Sequence, residues 1–361
     1  MRQWLLRSLS EDLVIEVRRV KTKARVALLM TIARFEFIAR IYYGLVSKSF
    51  GREARGVLAG KLRYYQNDLS KNGNEFKLRR DIHRLEKGLS MEPLRETFAG
   101  SYIGGIVETY AKVRRGQEDC ESLSDNNLLR WAESVLEQYF LAVTNGKDAR
   151  IDRARDEFAR REGRCAFEKR DWNPYRAKER SGAPLNYDSI LSLVRWRRSV
   201  RWFEDRVVPR EVFLKAAEVA TQAPSACNRQ PFYFRFFDDP KAVARVSALP
   251  PGVRGISRGF RSFVVVVGRL EAYFDEKDRH LIYIDGALAS MLLILGLESL
   301  GVSSCCINWP DSQPEERKIV KELGLPPHER VVMCIALGYA RPEGKVPYSG
   351  KKTASDLVKF N

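Results

Sequence analysis

Apolar residues in the first half of the chain recur three or four positions apart, which is the spacing of one face of an α-helix. Val14, Val17 and Val20 show this spacing near the start of the sequence. A second series predicts a helix over residues 122–144, and its apolar stripe consists of Leu128, Leu129, Ala132, Val135, Leu136 and Tyr139. We therefore expect residues 1–180 to form an all-helical N-terminal domain.

Glycine, proline and charge indicate where further elements of the first half end. Leu85-Glu86-Lys87-Gly88 predicts a helix end, because glycine readily adopts the left-handed conformation of a C-terminal cap. Residues 150–170 are rich in charge and poor in apolar positions, which is typical of a solvent-exposed helix. Residues 171–187 combine proline, glycine and charge, so we interpret them as a linker.

The second half of the chain alternates between helical patterns and short apolar runs. The run Phe263-Val264-Val265-Val266-Val267 is typical of a buried strand. Asp285 is expected to be the N-cap of a long apolar helix that ends at Gly301. Helices are predicted over 188–197, 210–222, 240–247, 286–300 and 313–323, and strands over 232–238, 262–268, 302–308 and 330–339. This pattern predicts an α+β domain over residues 186–361.

The chain is strongly basic, with 63 Lys+Arg against 46 Asp+Glu and a net charge of +17. Residues 1–180 hold 37 basic and 26 acidic residues and therefore contribute +11 of this charge. Such an excess can serve nucleic acid, an anionic membrane surface or an acidic partner, or it can simply maintain solubility. We expect no specific nucleic-acid partner. A peripheral contact of the basic N-terminal half with an anionic surface stays open.

Cysteine and histidine spacing argues against a metal site. None of the six cysteines forms a CxxC, and the three histidines form no zinc-like cluster with them. Cys305 and Cys306 are adjacent on a predicted strand, so their side chains should point to opposite faces. This cysteine usage is typical of a reducing cytoplasm.

No segment of the chain is predicted to cross a membrane. The N-terminus lacks the long apolar stretch of a signal peptide, so we expect a cytoplasmic protein. The apolar residues 26–46 are interrupted by Arg34, Glu36 and Arg40, which are costly to bury at mid-membrane. Residues 284–301 are short for a span and are interpreted as a core helix.

The most informative stretch for chemistry is Trp196-Arg197-Arg198-Ser199-Val200-Arg201-Trp202-Phe203. Arg197, Ser199 and Arg201 sit at i, i+2 and i+4, so they point the same way in an extended segment. Their planar guanidinium groups and the hydroxyl between them suit a phosphate. An ordinary basic helix end is the alternative interpretation.

A loop that could hold a flat ring follows about twenty residues later. The stretch Ala223-Pro224-Ser225-Ala226-Cys227-Asn228-Arg229-Gln230-Pro231 contains small and amide residues between two prolines. Such a loop can bring its backbone close to a hydrogen-bonding ring, although proline, serine and asparagine are also common in plain turns. A phosphate-binding segment followed by this loop indicates a phosphorylated heteroaromatic cofactor.

In order and spacing, these two segments resemble the motifs of the FMN-dependent nitroreductase superfamily. The similarity continues through Ile284-Asp285-Gly286-Ala287 and Ala336-Leu337-Gly338-Tyr339 and covers about residues 186–361. Motifs in register are more specific than any single one. The resemblance implies a nitroreductase-like, mostly antiparallel central sheet wrapped by helices, preceded here by the helical domain.

The resemblance also assigns roles to particular residues. The FMN phosphate would contact Arg197, Ser199 and Arg201, with Arg198 in the same set but pointing away. A tail cation at this phosphate would be Lys351 or Lys352. The flavin ring would be contacted by Pro224, Ser225, Ala226 and Asn228.

The end of the predicted strand 302–308 would lie over one face of the flavin. There the resemblance implies that a backbone N–H near Ile307 reaches flavin N5, and it makes Asn308 and Trp309 the candidate catalytic positions. Members of the family often carry an acid or glycine where this chain has Asn308 and Trp309. Trp309 would either narrow the acceptor cavity or simply pack at the strand end.

The activity implied is ping-pong hydride transfer from NAD(P)H through flavin N5 to a small organic acceptor, such as a nitroaromatic, a quinone or a biosynthetic intermediate. The family usually builds its site across a homodimer interface, for which the apolar helix 286–300 is the candidate element. Two alternatives remain. One is a specialised flavin dehydrogenase or tailoring enzyme of a natural-product or polysaccharide pathway, and the other is a catalytically degenerate flavin-binding scaffold.

Overall fold

The structure is a computed structural model that describes residues 11–47, 49–117, 126–160, 172–179, 182 and 184–361. The chain forms two compact units, divided between Arg55 and Gly56. The helices after Gly56 therefore belong to the same compact unit as the sheet. The expected division into a helical domain over 1–180 and an FMN-binding domain over 186–361 stays a prediction. It concerns which part of the chain binds the cofactor.

The first unit consists of helices α1 (Glu11–Arg34) and α2 (Glu36–Ile41) and a π-helix over Tyr42–Ser47. Most of its described side chains are exposed. Helix α3 (Gly51–Leu69) begins before the division and continues into the second unit.

A helical bundle opens the second unit. Its members after α3 are α4 (Glu75–Leu89), α5 (Ile103–Arg115), α6 (Asn127–Ala142) and α7 (Ala149–Ala159). Their apolar faces share one core that includes Leu78, Ile82, Ile106, Val135 and Leu136. The expectation of helical structure is confirmed for these ranges. The predicted start of helix 122–144 and the predicted end of helix 150–170 lie outside the described residues.

The predicted cap at Gly88 is wrong. Helix α4 continues to Leu89 and is capped by Ser90, and Gly88 is an ordinary helical residue. A Cβ at Gly88 would collide with the ring of Phe98. The glycine therefore permits close packing of Phe98 on the helix, which helical spacing alone could not indicate.

The described part of the chain contains one four-stranded antiparallel sheet of order β1-β2-β4-β3. Its strands are β1 (Phe232–Phe237), β2 (Ser262–Arg269), β3 (Ser303–Asn308) and β4 (Glu329–Gly338). The helices around it are α8 (Tyr187–Trp196), α9 (Arg210–Ala220), α10 (Pro240–Ser247), α11 (Leu281–Ser299), α12 (Gln313–Leu323) and α13 (Ala354–Leu357). The predicted α+β class with a sheet wrapped by helices is confirmed.

Helix α11 is the apolar helix that packs on the sheet. A Cβ on Gly296 would lie 3.1 Å from the carbonyl oxygen of Ala216 on α9, so the two helices approach closely. By length and composition, one helix in the described part of the chain, Glu276–Ser299, could cross a membrane, but half of it is buried inside the protein. Its packing is that of the predicted core helix. The predicted N-cap at Asp285 is wrong, because α11 begins at Leu281 with His280 as N-cap.

Candidate active site

The arginine-rich segment runs beside the edge strand β3. Helix α8 ends at Trp196, and Ser199 forms an isolated parallel bridge with Ser304. The N–H of Val200 donates to the carbonyl oxygen of Ser304 at 3.0 Å. This pairing places the segment beside β3, and a hydrogen bond from the Val200 N–H to the Arg198 carbonyl oxygen at 3.1 Å makes a tight turn at Ser199.

The predicted phosphate ligands act on the Cys305 thiol of β3. Burial raises the pKa of this thiol, and the charges of Arg201 and Arg197 and a hydrogen bond with Ser199 oppose that rise. Ser199 therefore hydrogen bonds to Cys305, and the two guanidinium groups lie near enough to influence it electrostatically. Nη1 of Arg201 also donates to the carbonyl oxygen of Ser199 at 3.3 Å. Arg198, half-buried in the same segment, takes no part in these contacts at Cys305.

Arg197 provides an unused donor at this point. Its Nε is buried and has no hydrogen-bond partner among the residues that the structure describes. Burial raises the pKa of the nearby Glu298 carboxyl, and the positive charge of Arg197 acts in the opposite direction. A buried guanidinium N–H without a partner is costly unless an acceptor comes to it. The residues present thus fit an anion such as a phosphate.

The two predicted tail cations, Lys351 and Lys352, are exposed on the C-terminal segment. Their role at the phosphate stays a prediction.

The predicted ring loop has an unusual backbone. Residues Ala226–Asn228 form one 3-10 turn, and Cys227, Asn228 and Gln230 have φ of 53°, 51° and 51°. The left-handed region is tolerated by asparagine but is unfavourable for most other side chains. Non-glycine residues stay in such conformations only where their surroundings hold them there.

Hydrogen bonds hold this loop from inside and from the core. The hydroxyl oxygen of Ser225 accepts from the N–H of Gln230 at 3.1 Å, and the Ser225 carbonyl accepts from the N–H of Asn228 at 3.0 Å. The N–H of Ala226 donates to Oδ2 of Asp285 on α11 at 3.0 Å. The loop is therefore connected to the core helix by a buried carboxyl.

Asp285 has a tertiary role in place of the expected N-cap. It is 2% exposed, and its Oδ2 also accepts from the Tyr273 hydroxyl at 3.4 Å. Burial raises the pKa of this carboxyl, while the Ala226 N–H, the Tyr273 hydroxyl and then Arg229 act in the opposite direction. An acid in the first half of an apolar helix, whose other acid is Glu298 near its end, was the signal that could have indicated this role.

Helix α4 of the bundle packs against the same turn. Arg80 of α4 interacts electrostatically with Cys227, and His83 with Arg229. Burial lowers the pKa of His83. Arg229 is itself buried and lies with its guanidinium 4.9 Å from the centre of the Tyr273 ring. Helix α4 thus contacts the loop that is expected to bind the flavin ring.

The two candidate catalytic residues at the end of β3 differ in burial. Asn308 is exposed, whereas Ile307 and Trp309 are buried. Nε1 of Trp309 donates to Oε2 of Glu316 at 3.1 Å, and Arg330 pairs with the same carboxylate at 3.3 Å. The Trp309 ring belongs to the core cluster under the sheet. This placement favours packing over contact with an acceptor.

The register of the strands relates these parts. Ser304 and Asn308 are four residues apart on β3, so at about 3.3 Å per residue their Cα atoms are about 13 Å apart. Asn308 pairs with Met333, and a Cβ on Gly286, next to Asp285, would lie 3.3 Å from Val332. The arginine-rich segment and the end of β3 beside α11 therefore lie at two points along one strand.

Cysteine and acidic residues form no competing centre in the described ranges. There, no group of three or more His, Cys, Asp or Glu side chains could hold a metal ion. Cys305 is buried and Cys306 is exposed, as strand alternation predicts. Cys120 and Cys165 lie outside the described residues.

A model of the nitroreductase family matches residues 194–249 and 260–339. The chain is 26% identical over 182 residues to iodotyrosine deiodinase of Thermotoga neapolitana, covering 44% of this chain and 92% of that protein. It is 27% identical over 161 residues to a putative NADH dehydrogenase/NAD(P)H nitroreductase of Archaeoglobus fulgidus, covering 43% of this chain and 88% of that one.

Among solved structures, an FMN-dependent nitroreductase of Clostridium difficile is similar at 24% identity with a TM-score of 0.39, covering 47% of this chain and 98% of that one. A putative NADH dehydrogenase/NAD(P)H nitroreductase of Parabacteroides distasonis is similar at 27% identity with a TM-score of 0.41, covering 48% and 98%. The residues that the family model matches, 194–249 and 260–339, contain the arginine cluster, the ring loop, α11 and β3.

Proposed function

We propose that this chain, whose C-terminal half carries a nitroreductase-family oxidoreductase domain, is an FMN-dependent enzyme. It would transfer hydride from NAD(P)H to a small organic acceptor in two alternating stages. The observation that carries this proposal is the buried Nε of Arg197, which has no hydrogen-bond partner among the described residues and lies in the segment that pairs with β3 through Ser199 and Ser304. Bound FMN would supply the redox chemistry, as cofactors do in such enzymes, while the protein binds, orients and tunes.

The arginine cluster would hold the FMN phosphate. Arg197 offers a buried N–H without a partner in the described structure, and Arg201 adds a second guanidinium. Hydrogen bonds of guanidinium to phosphate are charge-assisted, and each contributes about 1.5–3 kcal/mol. The Ser199 hydroxyl would donate between them. Lys351 or Lys352 would join from the exposed C-terminal segment.

The ring loop would contact the flavin edge. Its left-handed residues give the loop a backbone that differs from a regular turn. The backbone groups and the Asn228 side chain therefore point in other directions than they would in a regular turn. Asp285 fixes the conformation by accepting the Ala226 N–H. Pro224 and Ser225 would complete this contact, and Ile307 and Asn308 would border the flavin from the end of β3.

A homodimer fits the exposed face of α11. Ile284, Leu288 and Met291 lie on one side of the helix at helical spacing and are 41–52% exposed. An exposed apolar stripe on an otherwise buried helix is typical of an interface between subunits. We propose that a second copy of the chain covers it.

The contact of α4 with the ring loop favours a specialised enzyme as the second candidate. Arg80 and His83 bring charge and a titratable ring to the loop from outside the family-matched residues. A dehydrogenase or tailoring enzyme with one preferred acceptor would use such added groups to select it.

The proposal is tested on the purified protein by its absorption spectrum and by identifying any flavin released on denaturation. Anaerobic addition of NADH or NADPH should then bleach the flavin band, and an acceptor should restore it. Release of FMN with reduction by a nicotinamide supports the proposal. A protein that stays colourless after incubation with FMN contradicts it, and a bound FMN that neither nicotinamide reduces supports the scaffold alternative instead.

A further inference from the structure

The middle of helix α1 carries a dense basic segment, which we define as residues 18–25. It contains five cations in eight positions and no acid: Arg18, Arg19, Lys21, Lys23 and Arg25. The described side chains of Arg19, Lys21, Lys23 and Arg25 are exposed. Such a density of cations attracts an anionic surface over about a Debye length.

One side of the same helix is apolar. Val17, Val20, Ala24 and Leu28 recur three or four residues apart and therefore share a face. Val20 is 57% and Leu28 58% exposed. A basic helix with an apolar face is the pattern of helices that lie in a membrane interface.

An apolar segment, which we define as residues 26–46, follows directly. Within this fully described stretch, Ile32 alone is buried. The large exposed side chains, at 37–75% exposure, are Val26, Leu28, Leu29, Met30, Phe35, Phe37, Ile38, Ile41, Tyr43, Leu45 and Val46. Contiguous exposure on this scale is unusual for a soluble protein surface and indicates an interaction site.

The charges inside the apolar segment argue for a position on a membrane rather than across it. Arg40 pairs with Glu36 at 2.5 Å, and both side chains are more than three-quarters exposed. Arg34 and Arg40 have long stems that can cover apolar surface while their guanidinium groups reach the headgroups. Among the described helices, Glu276–Ser299 has the length and composition of a membrane-spanning helix, and the apolar segment does not.

We propose that the basic segment and the apolar segment together bind an anionic lipid surface, with the apolar side chains in the interface and the cations on the headgroups. Charge complementarity selects this occupant. A second copy of the chain would bring two basic segments together and repel itself. A nucleic acid would neutralise the cations but would leave the apolar segment exposed to water.

The test uses full-length protein and sedimentation with vesicles of phosphatidylcholine, alone or mixed with phosphatidylglycerol. We expect binding to the mixed vesicles that weakens as salt rises. The variant Lys21→Glu/Lys23→Glu/Arg25→Glu should bind on the order of a hundredfold more weakly, or worse, given the contribution of each cation near an anionic surface. The matched control Arg317→Glu/Lys318→Glu/Lys321→Glu, on the exposed side of α12, should bind like the parent.

A second pair of variants tests the apolar part. Leu28→Ser/Met30→Ser should weaken vesicle binding, whereas Leu214→Ser, at an equally exposed apolar position of α9, should not. Absence of vesicle binding by the parent overturns the proposal, as does equal loss in the α12 control. Binding of duplex DNA without binding of vesicles, or loss of self-association as the sole effect of Leu28→Ser/Met30→Ser, assigns the surface to the other partners and also overturns it.

Discussion

The backbone N–H of Ala226 donates to the buried carboxyl of Asp285, with 3.0 Å between N and Oδ2. Fifty-nine residues of chain separate the two partners, so the bond is purely tertiary. It joins the loop that carries the left-handed residues Cys227, Asn228 and Gln230 to the core helix α11. The conformation of the proposed flavin loop is therefore set by a residue that does not itself belong to the loop.

Removing the Asp285 carboxyl should weaken flavin binding. Asp285→Ala leaves the Ala226 N–H without its acceptor, which costs about 1–3 kcal/mol and allows the loop to relax. FMN affinity should fall about tenfold or more, as measured by titration of flavin fluorescence. Asp285→Asn keeps an acceptor oxygen and should restore most of the affinity. Equal FMN affinity in the alanine variant and the parent would show that the loop holds its shape without Asp285.

Stability should depend on pH through the same carboxyl. Burial raises the pKa of Asp285 in the folded protein, so the folded state binds this proton more tightly than the unfolded state does. The contribution of the group to the free energy of unfolding is therefore greatest below the unfolded pKa and falls as the pH rises through the folded pKa.

Urea denaturation of the parent and of Asp285→Asn at a series of pH values checks this sign. The stability of the parent relative to the variant should decrease as the pH is raised and become constant above the folded pKa. Asp188→Asn, at an exposed position of α8, should show no comparable trend. A stability difference between the parent and Asp285→Asn that is flat with pH contradicts the burial argument.

Trp309 should act on stability rather than on the acceptor. Trp309→Phe keeps an aromatic ring in the core but removes the N–H that donates to Glu316. Loss of this bond should lower the free energy of unfolding by about 1–3 kcal/mol, measured by chemical denaturation. The KM for acceptors should stay as in the parent. A changed KM with unchanged stability would place the ring in the acceptor cavity.

The contact of α4 with the ring loop should appear in acceptor kinetics. His83→Ala removes a side chain that interacts with Arg229 beside the loop. It should change the KM for acceptors more than the affinity for FMN. Arg84→Ala, on the same helix as His83, loses a contact with the Tyr102 ring and serves as the control. Identical acceptor kinetics in the His83 variant and the parent would limit α4 to a structural role.

Local sequence predicted the elements of the sheet well. The run Phe263–Val267 identifies β2 within one or two residues because a β-branched run buried on both faces has few other structures. The roles of Arg197, Ser199 and Arg201 at a phosphate stay a prediction. In the structure, Arg197 and Arg201 act electrostatically on the Cys305 thiol, and Ser199 hydrogen bonds to it.

The errors have a common physical cause in tertiary contacts. Gly88 was assigned to a cap, but it is needed where the Phe98 ring packs against the helix. Asp285 was assigned to an N-cap, but its partner Ala226 comes from a distant loop. The left-handed backbone at Cys227 and Gln230 also had no signal in their side chains. Such features depend on which segments meet in the folded protein.

Arg197 and Arg201 are proposed to bind the phosphate of FMN, and the FMN dissociation constant of Arg197→Ala/Arg201→Ala tests this. Loss of two charge-assisted donors should weaken FMN binding by about 3–6 kcal/mol, which is more than a hundredfold. Riboflavin lacks the phosphate and should therefore bind the variant and the parent equally. Arg195→Ala, an exposed arginine of the preceding helix, should bind FMN like the parent. A double variant that is folded by circular dichroism and holds FMN as tightly as the parent would contradict the account.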